Sequence, residues 1–329
     1  MIWSVSASRA FDRCQRQFYF SQVMAWHKTK DPLRQRAYSL KQIQQLAWWP
    51  GKVVHRAIQH WVLPEIERGQ WPKLGQVISQ AQDLARRQFL FSQAGNYRTT
   101  SKTDAGDQYC VLAPHYFEEP IEPDVLDKVL TTIDKALRNL LTSQRTRDFL
   151  VGRQLYRWEY RLHFKVGGTT VRAVPDLLML SDSGMGLDVV DWKVATAASS
   201  YHSQVAIYAL AAQETGWLAD YARTGLTGYV VNLLEPEPAV ALKDPYVVDE
   251  HILATTIDTI YESIERIRAL TGDRKYDQLD IGRFEYARSA GTCALCNWHE
   301  LCVELGDGSP AESLSNIKSR PTQLELPLG

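Results

Sequence analysis

Two short runs of apolar, β-prone residues joined by a turn constrain the fold of this chain more than any other feature. The runs cover residues 171–180 and 187–194, and the six residues between them (Ser-Asp-Ser-Gly-Met-Gly) have the composition of a hairpin turn. Each run carries an aspartate, Asp176 on the first predicted strand and Asp191 on the second. The pattern therefore predicts a β-hairpin with one carboxylate on each strand.

The second predicted strand ends in Asp191, Trp192 and Lys193. Side chains alternate across a strand, so Asp191 and Lys193 share one face and Trp192 points to the other. Burying either charge alone costs roughly several kcal/mol, so the pair needs a counter-ion, a substrate or water. One interpretation is a site for Mg²⁺ or Mn²⁺, with Asp176 and Asp191 as oxygen ligands and Lys193 stabilising phosphate charge. The alternative is a solvent-facing ion pair at the end of a strand.

Strand and helix patterns divide the rest of the chain. Further strands are predicted at residues 155–166 and 226–234, and helices at residues 52–62, 201–214 and 249–270. Strands flanked by helices predict an α/β fold, with a mixed central sheet and helices on its faces. We expect the chain to divide into a discontinuous domain (residues 1–64 and 150–305), a helical insertion (65–149) and a flexible tail (306–329).

Four polar residues lie on these predicted elements. His55 is one turn into the helix at residues 52–62, where a partly exposed or hydrogen-bonded histidine is the ordinary situation. Glu159 is expected at an exposed position of the strand at residues 155–166, with a role near a metal as the alternative. Gln204 and Tyr208, four residues apart on a predicted helix, share one face.

Three of the five cysteines form a cluster with the spacing C-x2-C-x5-C, at Cys293, Cys296 and Cys302. Three thiolates this close in an intracellular protein usually hold a metal, and tetrahedral coordination requires a fourth ligand. The candidates for that ligand are Cys14, His299 and Cys110. Spacing alone fits zinc and an iron–sulfur cluster equally well.

The net charge of −1 hides an asymmetry along the chain. Residues 1–60 carry ten basic side chains against two acidic ones, and nine aromatic residues are interleaved with them. Basic groups that follow a phosphate backbone, together with aromatic rings that stack on bases, are typical of single-strand binding grooves. The alternative is that the aromatic rings lie in the core and the charges form a solvated face.

Segments that would direct the chain to a membrane are not predicted. No apolar run approaches the roughly 20 residues of a membrane span, and the N-terminal residues lack the apolar stretch of a signal peptide. We therefore expect a cytoplasmic protein without membrane partners.

The order of these motifs resembles that of the PD-(D/E)xK nuclease superfamily. The motifs run in the order Cys14, His55, Pro175-Asp176, Asp191-Trp192-Lys193, Gln204 with Tyr208, and C-x2-C-x5-C. They are most similar to those of the RecB-like and AddB-like branch, which includes the iron–sulfur exonuclease of CRISPR adaptation. Many members have proline after the first cysteine, where this chain has Gln15. The resemblance implies a restriction-endonuclease-like core whose N- and C-terminal parts are stapled by an iron–sulfur cluster.

The resemblance also implies a role for each matched residue. The ligands of a catalytic Mg²⁺ or Mn²⁺ would be His55, Asp176, Asp191 and the backbone carbonyl of Trp192. Lys193 would orient or activate the attacking water, and Gln204 and Tyr208 would flank the site and contact DNA. The ligands of a 4Fe–4S cluster would be Cys14, Cys293, Cys296 and Cys302.

Together these features predict a metal-dependent DNA nuclease that acts on single strands or DNA ends in repair, recombination or CRISPR adaptation. The alternatives are a non-catalytic nucleic-acid-binding scaffold subunit and a zinc-stapled RNA-processing protein. The tail adds a second predicted partner beside DNA. Its segment Gln323-Leu-Glu-Leu-Pro-Leu328 is similar to the peptides by which bacterial proteins bind the DNA polymerase sliding clamp.

Overall fold

The computed structural model describes residues 2–182, 184–194, 201–216, 218–235, 245–272 and 274–306. In these ranges the strands are β1 (Ile2–Trp3), β2 (Ile43–Gln44), β3 (Val111–Leu112), β4 (Leu155–Trp158), β5 (Leu162–Val166), β6 (Thr169–Ala173), β7 (Leu177–Leu180), β8 (Leu187–Lys193), β9 (Leu226–Asn232) and β10 (Tyr246–Val247). They form one five-stranded, one three-stranded and one two-stranded sheet.

The helices of the described residues surround these sheets. They are α1 (Val5–Arg13), α2 (Gln15–Phe18), α3 (Pro32–Gln42), α4 (Trp49–Ala57), α5 (Leu63–Glu67), α6 (Leu74–Gln93), α7 (Lys102–Ala105), α8 (Ala113–Tyr116), α9 (Val125–Thr142), α10 (Gln144–Leu150), α11 (His202–Gln213), α12 (Ala219–Ala222), α13 (Glu250–Thr271), α14 (Ala290–Ala294) and α15 (His299–Glu304). A π-helical turn follows α2 (Tyr19–Met24) and another follows α4 (Ile58–Val62), and a 3-10 turn (Leu46–Trp48) precedes α4.

The central five-stranded sheet is mixed, as the sequence predicted. Its strand order is β10-β9-β8-β7-β4, with β8 parallel to β9 and the other neighbours antiparallel. Helix α11 lies in the connection between β8 and β9, because parallel neighbours need a crossover rather than a tight turn. The predicted α/β class is therefore confirmed.

Helices cover both faces of the central sheet, so β7 and β8 are buried along nearly their whole length. On one face, Leu178 and Val189 belong to a core shared with α1, α11 and α13. On the other face, Leu177, Val190 and Trp192 belong to a core shared with α4, α6 and α9. The alternation of side chains therefore places Asp191 on the α11 face and Trp192 on the α4 face.

The predicted helical insertion, residues 65–149, packs against the α4 face. Helices α6 and α9 contact each other and α4, and Leu84 and Leu137 lie in the same hydrophobic core as Trp192. These helices thus help to hold α4, which carries His55. The division of the chain into separate domains stays a prediction.

The N-terminal segment is tied to the rest of the molecule through the three-stranded sheet β1-β6-β5. Strand β1 pairs in parallel with β6, with Ile2 beside Thr170. Helix α1 then begins after Ser4, whose hydroxyl accepts a hydrogen bond from the Ala7 N–H. The indole of Trp3 donates to the Ser263 hydroxyl of α13 at 3.1 Å. These contacts hold the basic N-terminal helices beside the central sheet.

Two predicted strands are each divided in the structure. The run at residues 171–180 becomes β6 and β7, which belong to different sheets. Pro175 has no N–H to give to a ladder, so Asp176 lies at the bend before β7 rather than on a strand. The run at residues 155–166 becomes β4 and β5. Glu159 lies at the bend between them with a φ of 50°, so its expected exposed position on a strand is wrong.

Two further predictions concern the chain's surroundings. In the described helices we find no segment that combines the length and the apolar character needed to cross a membrane. The sliding-clamp-like peptide at Gln323 to Leu328 lies outside the described residues.

Candidate active site

The register of β7 and β8 brings two aspartates together at one end of the central sheet. Leu177 pairs with Val190, so the next residues outward, Asp176 and Asp191, lie opposite each other. Helix α4 begins beside this end of β8, since a Cβ at Gly51 would lie 3.6 Å from the Cβ of Val194. One turn later α4 presents His55 to the same place. The sheet thus supplies the two carboxylates and α4 the imidazole.

Asp176 is held by contacts to both of its carboxylate oxygens. Its Oδ2 accepts a hydrogen bond from the Trp192 N–H at 2.7 Å, and its Oδ1 lies 3.4 Å from His55 Nδ1. Burial lowers the pKa of His55, but the charge and the hydrogen bond of Asp176 outweigh it and raise that pKa to about 9. The neighbouring carboxylates therefore make this corner of the molecule attractive to positive charge.

Asp191 and Lys193 form the ion pair that the strand alternation predicted. The Lys193 Nζ lies 2.5 Å from Asp191 Oδ2, and the Asp191 side chain is 1% exposed. Burial and the charge of Asp176 raise the pKa of Asp191, while Lys193 and His55 oppose the shift. The alternative of a solvent-facing ion pair is therefore wrong for Asp191.

Helix α11 fixes the second oxygen of Asp191. The Gln204 side-chain amide lies 3.2 Å from Asp191 Oδ1 and 2.6 Å from the Tyr208 hydroxyl, and donates to both. Burial, with the charges of Asp191 and Asp176, raises the pKa of Tyr208, so the phenol stays protonated. Gln204 and Tyr208 share a face, as the sequence predicted, and that face is turned to the carboxylates.

Glu159, for which a role near a metal is the alternative prediction, belongs to a group of potential metal ligands. In the described part of the chain, His55, Glu159 and Asp176 form the one group of three whose ligand atoms all lie within 4.8 Å of one another. The Glu159 N–H donates to the Asp176 carbonyl at 3.3 Å, which holds the bend closed. Burial and the charge of Asp176 raise the pKa of the Glu159 carboxyl. One imidazole nitrogen and two carboxylates suit Mg²⁺ or Mn²⁺.

The structure thus brings most of the predicted site residues together, although not in one ligand set. Asp191 lies beside the three-residue group but outside it, with its oxygens engaged by Lys193 and Gln204. Trp192 contacts this group through its N–H, which donates to Asp176, and the metal-ligating role of its carbonyl stays a prediction. No sequence pattern marks Glu159, because the positive φ that directs it inward is invisible in the residue order.

An open cavity of about 490 Å³, the active-site cavity, lies in front of these groups. It is lined by His55, Glu159 and Lys193 and by the basic residues Lys52 and Arg56. The Lys193 ammonium also lies 4.6 Å from the ring centre of Tyr201. The arrangement offers carboxylates for a cation beside positive charge for an anionic substrate.

The cysteine cluster lies at a separate place, where the N-terminal helices meet the C-terminal ones. Cys14 is the residue between α1 and α2, and the C-x2-C-x5-C residues lie on and between α14 and α15. One small cavity is lined by Cys14, Cys293, Cys296, Cys302 and His299. Cys110 is buried in the other hydrophobic core, so it is not the fourth ligand.

The thiols around this cavity fit a metal group chemically. Burial and the neighbouring cysteines raise the pKa of Cys293 to about 11, and burial raises that of Cys296 to about 12. Thiols in this setting become thiolates only when positive charge is bound between them. Burial also raises the pKa of Cys302, and the neighbouring Arg16 partly opposes that shift. Arg16 is itself buried and donates to the Phe284 carbonyl at 3.0 Å.

Comparison with known proteins gives one family. No curated protein matches the chain at a significant level. The family described as the PD-(D/E)XK nuclease superfamily matches residues 2–303, a span that includes every site residue discussed above. Nucleases of this superfamily use divalent metals, in agreement with the acidic group at His55, Glu159 and Asp176. The chain belongs to the PD-(D/E)XK nuclease superfamily.

Proposed function

We propose that this protein is a cytoplasmic, metal-dependent deoxyribonuclease that hydrolyses phosphodiester bonds in single-stranded DNA or at DNA ends. The observation that carries the proposal is the grouping of His55, Glu159 and Asp176 next to the Asp191–Lys193 pair, beside an open cavity that His55, Glu159 and Lys193 line. Hydrolysis of a phosphodiester requires positive charge near the phosphate and a positioned water, and these groups can supply both.

The residues that would hold the metal are His55, Glu159 and Asp176, with Asp191 completing the set on one side. A divalent cation supplies charge that stabilises the phosphate oxygens and makes a water more acidic. Lys193, paired with Asp191 and lining the same cavity, adds a second positive charge and can orient the water by hydrogen bonding. Gln204 fixes the carboxylate of Asp191, because its amide bridges Asp191 and the Tyr208 hydroxyl.

The test is cleavage of end-labelled single- and double-stranded DNA in Mg²⁺ or Mn²⁺. We expect Asp191→Ala and Lys193→Ala to abolish cleavage and to keep most of the DNA binding, because Asp191 would help to hold the metal and Lys193 would act at the reacting phosphate. Asp258→Ala, which changes an exposed aspartate on α13, is the matched control. Full activity in Asp191→Ala or Lys193→Ala would refute the assignment of these residues to the active site. No cleavage by folded wild-type protein would favour the alternative of a non-catalytic scaffold subunit.

We further propose that Cys14, Cys293, Cys296 and Cys302 hold a 4Fe–4S cluster, as in the RecB/AddB-like branch. Two observations support it. The four cysteines line one cavity, and no three of their sulfur atoms all lie within 4.8 Å of one another. A single tetrahedral zinc with Zn–S bonds of about 2.3 Å would hold thiolates about 3.8 Å apart.

Iron content and absorbance separate these possibilities. Wild type purified without oxygen should contain iron and absorb near ~400 nm, and Cys14→Ser should lose both. Cys110→Ser is the control, since Cys110 lies in the other core. A colourless protein that contains zinc would refute the cluster and leave the nuclease proposal standing.

The tail extends the proposal to a protein partner. Residues 322–329 include the sliding-clamp-like peptide from Gln323 to Leu328, whose two leucine anchors suit binding in a groove. Deleting residues 322–329 should abolish binding to the clamp and leave cleavage of free DNA unchanged. Equal clamp affinity with and without the tail would refute this partner. A place in repair, recombination or CRISPR adaptation is part of the same proposal.

A further inference from the structure

A second open cavity, which we call the basic groove, adjoins the active-site cavity and has a volume of about 540 Å³. Its lining includes four cationic side chains and no acidic one; the cations are Arg9, Arg13, Lys41 and Arg172. In the part of the chain described by the structure, none of these four forms an ion pair with a carboxylate. The groove therefore carries positive charge that no carboxylate of the described residues pairs with.

Lys41 and Arg172 show how close these charges lie to one another. The Lys41 ammonium donates to the Ser21 carbonyl at 2.5 Å, so it is fixed in the groove. Burial of the ammonium and the charge of Arg172 lower the pKa of Lys41. Two like charges held together without a carboxylate are stabilised when an anion such as a phosphate binds between them.

The basic groove leads directly to the candidate active site. Gln204 and Tyr208 form part of its wall, and the Gln204 amide lies 3.2 Å from Asp191 Oδ1. Arg9, on the groove side, also lies 5.9 Å from the ring centre of Tyr201, which lines the active-site cavity. A DNA strand whose phosphates lie in the groove would therefore stay beside cationic side chains until it reaches the carboxylates of the candidate active site.

Trp48 stands at the boundary of the two cavities and lines both of them. Its side chain is 51% exposed, whereas the next residue, Trp49, is completely buried. The Trp49 indole donates to Gln88 Oε1 at 2.7 Å and stacks on Phe89, so the backbone beneath Trp48 is anchored. An exposed aromatic ring on a fixed backbone is the arrangement on which nucleic-acid bases stack.

We propose that the basic groove binds the phosphates of a single-stranded DNA end, and that Trp48 stacks on one unpaired base where the strand enters the active-site cavity. This inference rests on the proposed nuclease function and adds the strand path and the residue that selects unpaired DNA. Bases within a duplex are already stacked on each other, so only an unpaired base can offer its face to Trp48. The stack would fix which phosphate lies at Asp176 and Asp191.

The test measures binding without cleavage, using the full chain in Ca²⁺ or EDTA. Fluorescence anisotropy of a labelled 20-nucleotide oligothymidylate, and of a blunt duplex of the same length, gives the two affinities. We expect Trp48→Ala to weaken binding of the single strand about 5- to 150-fold, the range for loss of one base stack. Trp48→Phe should retain most of the affinity, and duplex binding should change little in either variant.

The charged residues are tested through the dependence of binding on salt. Arg13→Ala and Arg172→Ala should each make the slope of log K against log salt shallower by about 0.7, the value for one phosphate contact on a single strand. Matched controls lie outside both cavities. Trp26→Ala changes an aromatic residue with the same exposure, 50%, and Arg87→Ala changes an exposed arginine on α6.

A third measurement on wild type guards against misfolding of the variants. A single abasic nucleotide moved along the oligonucleotide should weaken wild-type binding at one position, and that position effect should persist in Trp48→Phe and vanish in Trp48→Ala. Three results would each refute single-strand binding in the basic groove: equal losses of affinity in Trp48→Ala and Trp26→Ala, unchanged salt slopes in the arginine variants, or no effect of the abasic position. Groove-dependent binding by a protein that never cleaves DNA would refute the nuclease proposal alone.

Discussion

Packing of α11 against β9 makes Gly228→Ala the most informative change outside the site. Gly228 lies in the middle of β9, beside Val189 of β8. A methyl group at Gly228 would lie 2.1 Å from Val205 Cγ1 and 3.3 Å from Val205 Cβ. Carbon atoms pack best at about 3.5–4.0 Å, so the new contact is about 1.5 Å too close. Val205 is completely buried on α11 and cannot turn into solvent.

The magnitude follows from two opposing effects. Overpacking of this kind costs about 1–3 kcal/mol, because either α11 shifts or Val205 leaves its rotamer. Alanine also restricts the unfolded chain, which returns about 0.4–1 kcal/mol. We therefore expect the free energy of unfolding to fall by about 1–2 kcal/mol in Gly228→Ala. Gln204 precedes Val205, so a shifted α11 should also weaken the Gln204–Asp191 hydrogen bond and slow cleavage.

Equilibrium urea denaturation of wild type and four variants (Gly228→Ala, Gly225→Ala, Val205→Ala and the double variant) tests this reasoning. The control is Gly225→Ala, just before β9, where an added methyl would meet no atom within 4 Å. It should leave the stability unchanged or slightly raised. The double variant Val205→Ala/Gly228→Ala should be less destabilised than the sum of its single changes. A Gly228→Ala protein as stable as Gly225→Ala, or strictly additive single changes, would refute the contact between α11 and β9.

Two further predictions concern buried or metal-binding carboxylates. Burial raises the pKa of Asp188 to about 6, although the contact with Arg153 opposes it, whereas an unfolded aspartate titrates near about 3.9. The stability that this raised pKa contributes is therefore complete below about pH 4 and is lost as the pH rises through about 6. The free energy of unfolding, measured by urea denaturation, should thus fall between about pH 4 and 7 in wild type, and Asp188→Asn should remove this fall. An unchanged slope would exclude Asp188 as its source. Glu159→Gln should raise the Mn²⁺ concentration needed for half-maximal cleavage about 10- to 100-fold, and an unchanged Mn²⁺ requirement would place Glu159 outside the metal site.

The central hairpin was the most predictable part of the site. Period-two alternation alone places Asp191 and Lys193 on one face and Trp192 on the other, and the structure agrees. The same pattern could not locate the break at Pro175, since apolar residues on both sides continue the strand signal. The mixed sheet followed from the order of strands and helices. The sequence could not predict that residues 65–149 cover one face of this sheet, because packing between segments far apart in sequence leaves no periodic pattern in either of them.

Contacts between distant segments limited what could be predicted of the site. The approach of His55 to Asp176 depends on how α4 sits beside β8, and only the family resemblance pointed to it. The cysteine spacing left Cys14, His299 and Cys110 open as partners of the C-terminal cysteines; the fold places Cys14 and His299 at their cavity and Cys110 in the other core. For Glu159 the sequence offered a role near a metal only as the alternative, because it gives no sign of the left-handed backbone conformation at this residue, which non-glycine residues rarely adopt.

Single-turnover cleavage of end-labelled single-stranded DNA over a range of Mn²⁺ concentrations tests the central claim most directly. Wild type should cleave with a rate that rises and saturates with Mn²⁺. Asp176→Asn keeps the shape of the side chain but removes the charge beside His55, so its cleavage should be lost across the same range. Cleavage by Asp176→Asn with the wild-type rate and Mn²⁺ dependence would contradict the assignment of this corner of the sheet as the active site.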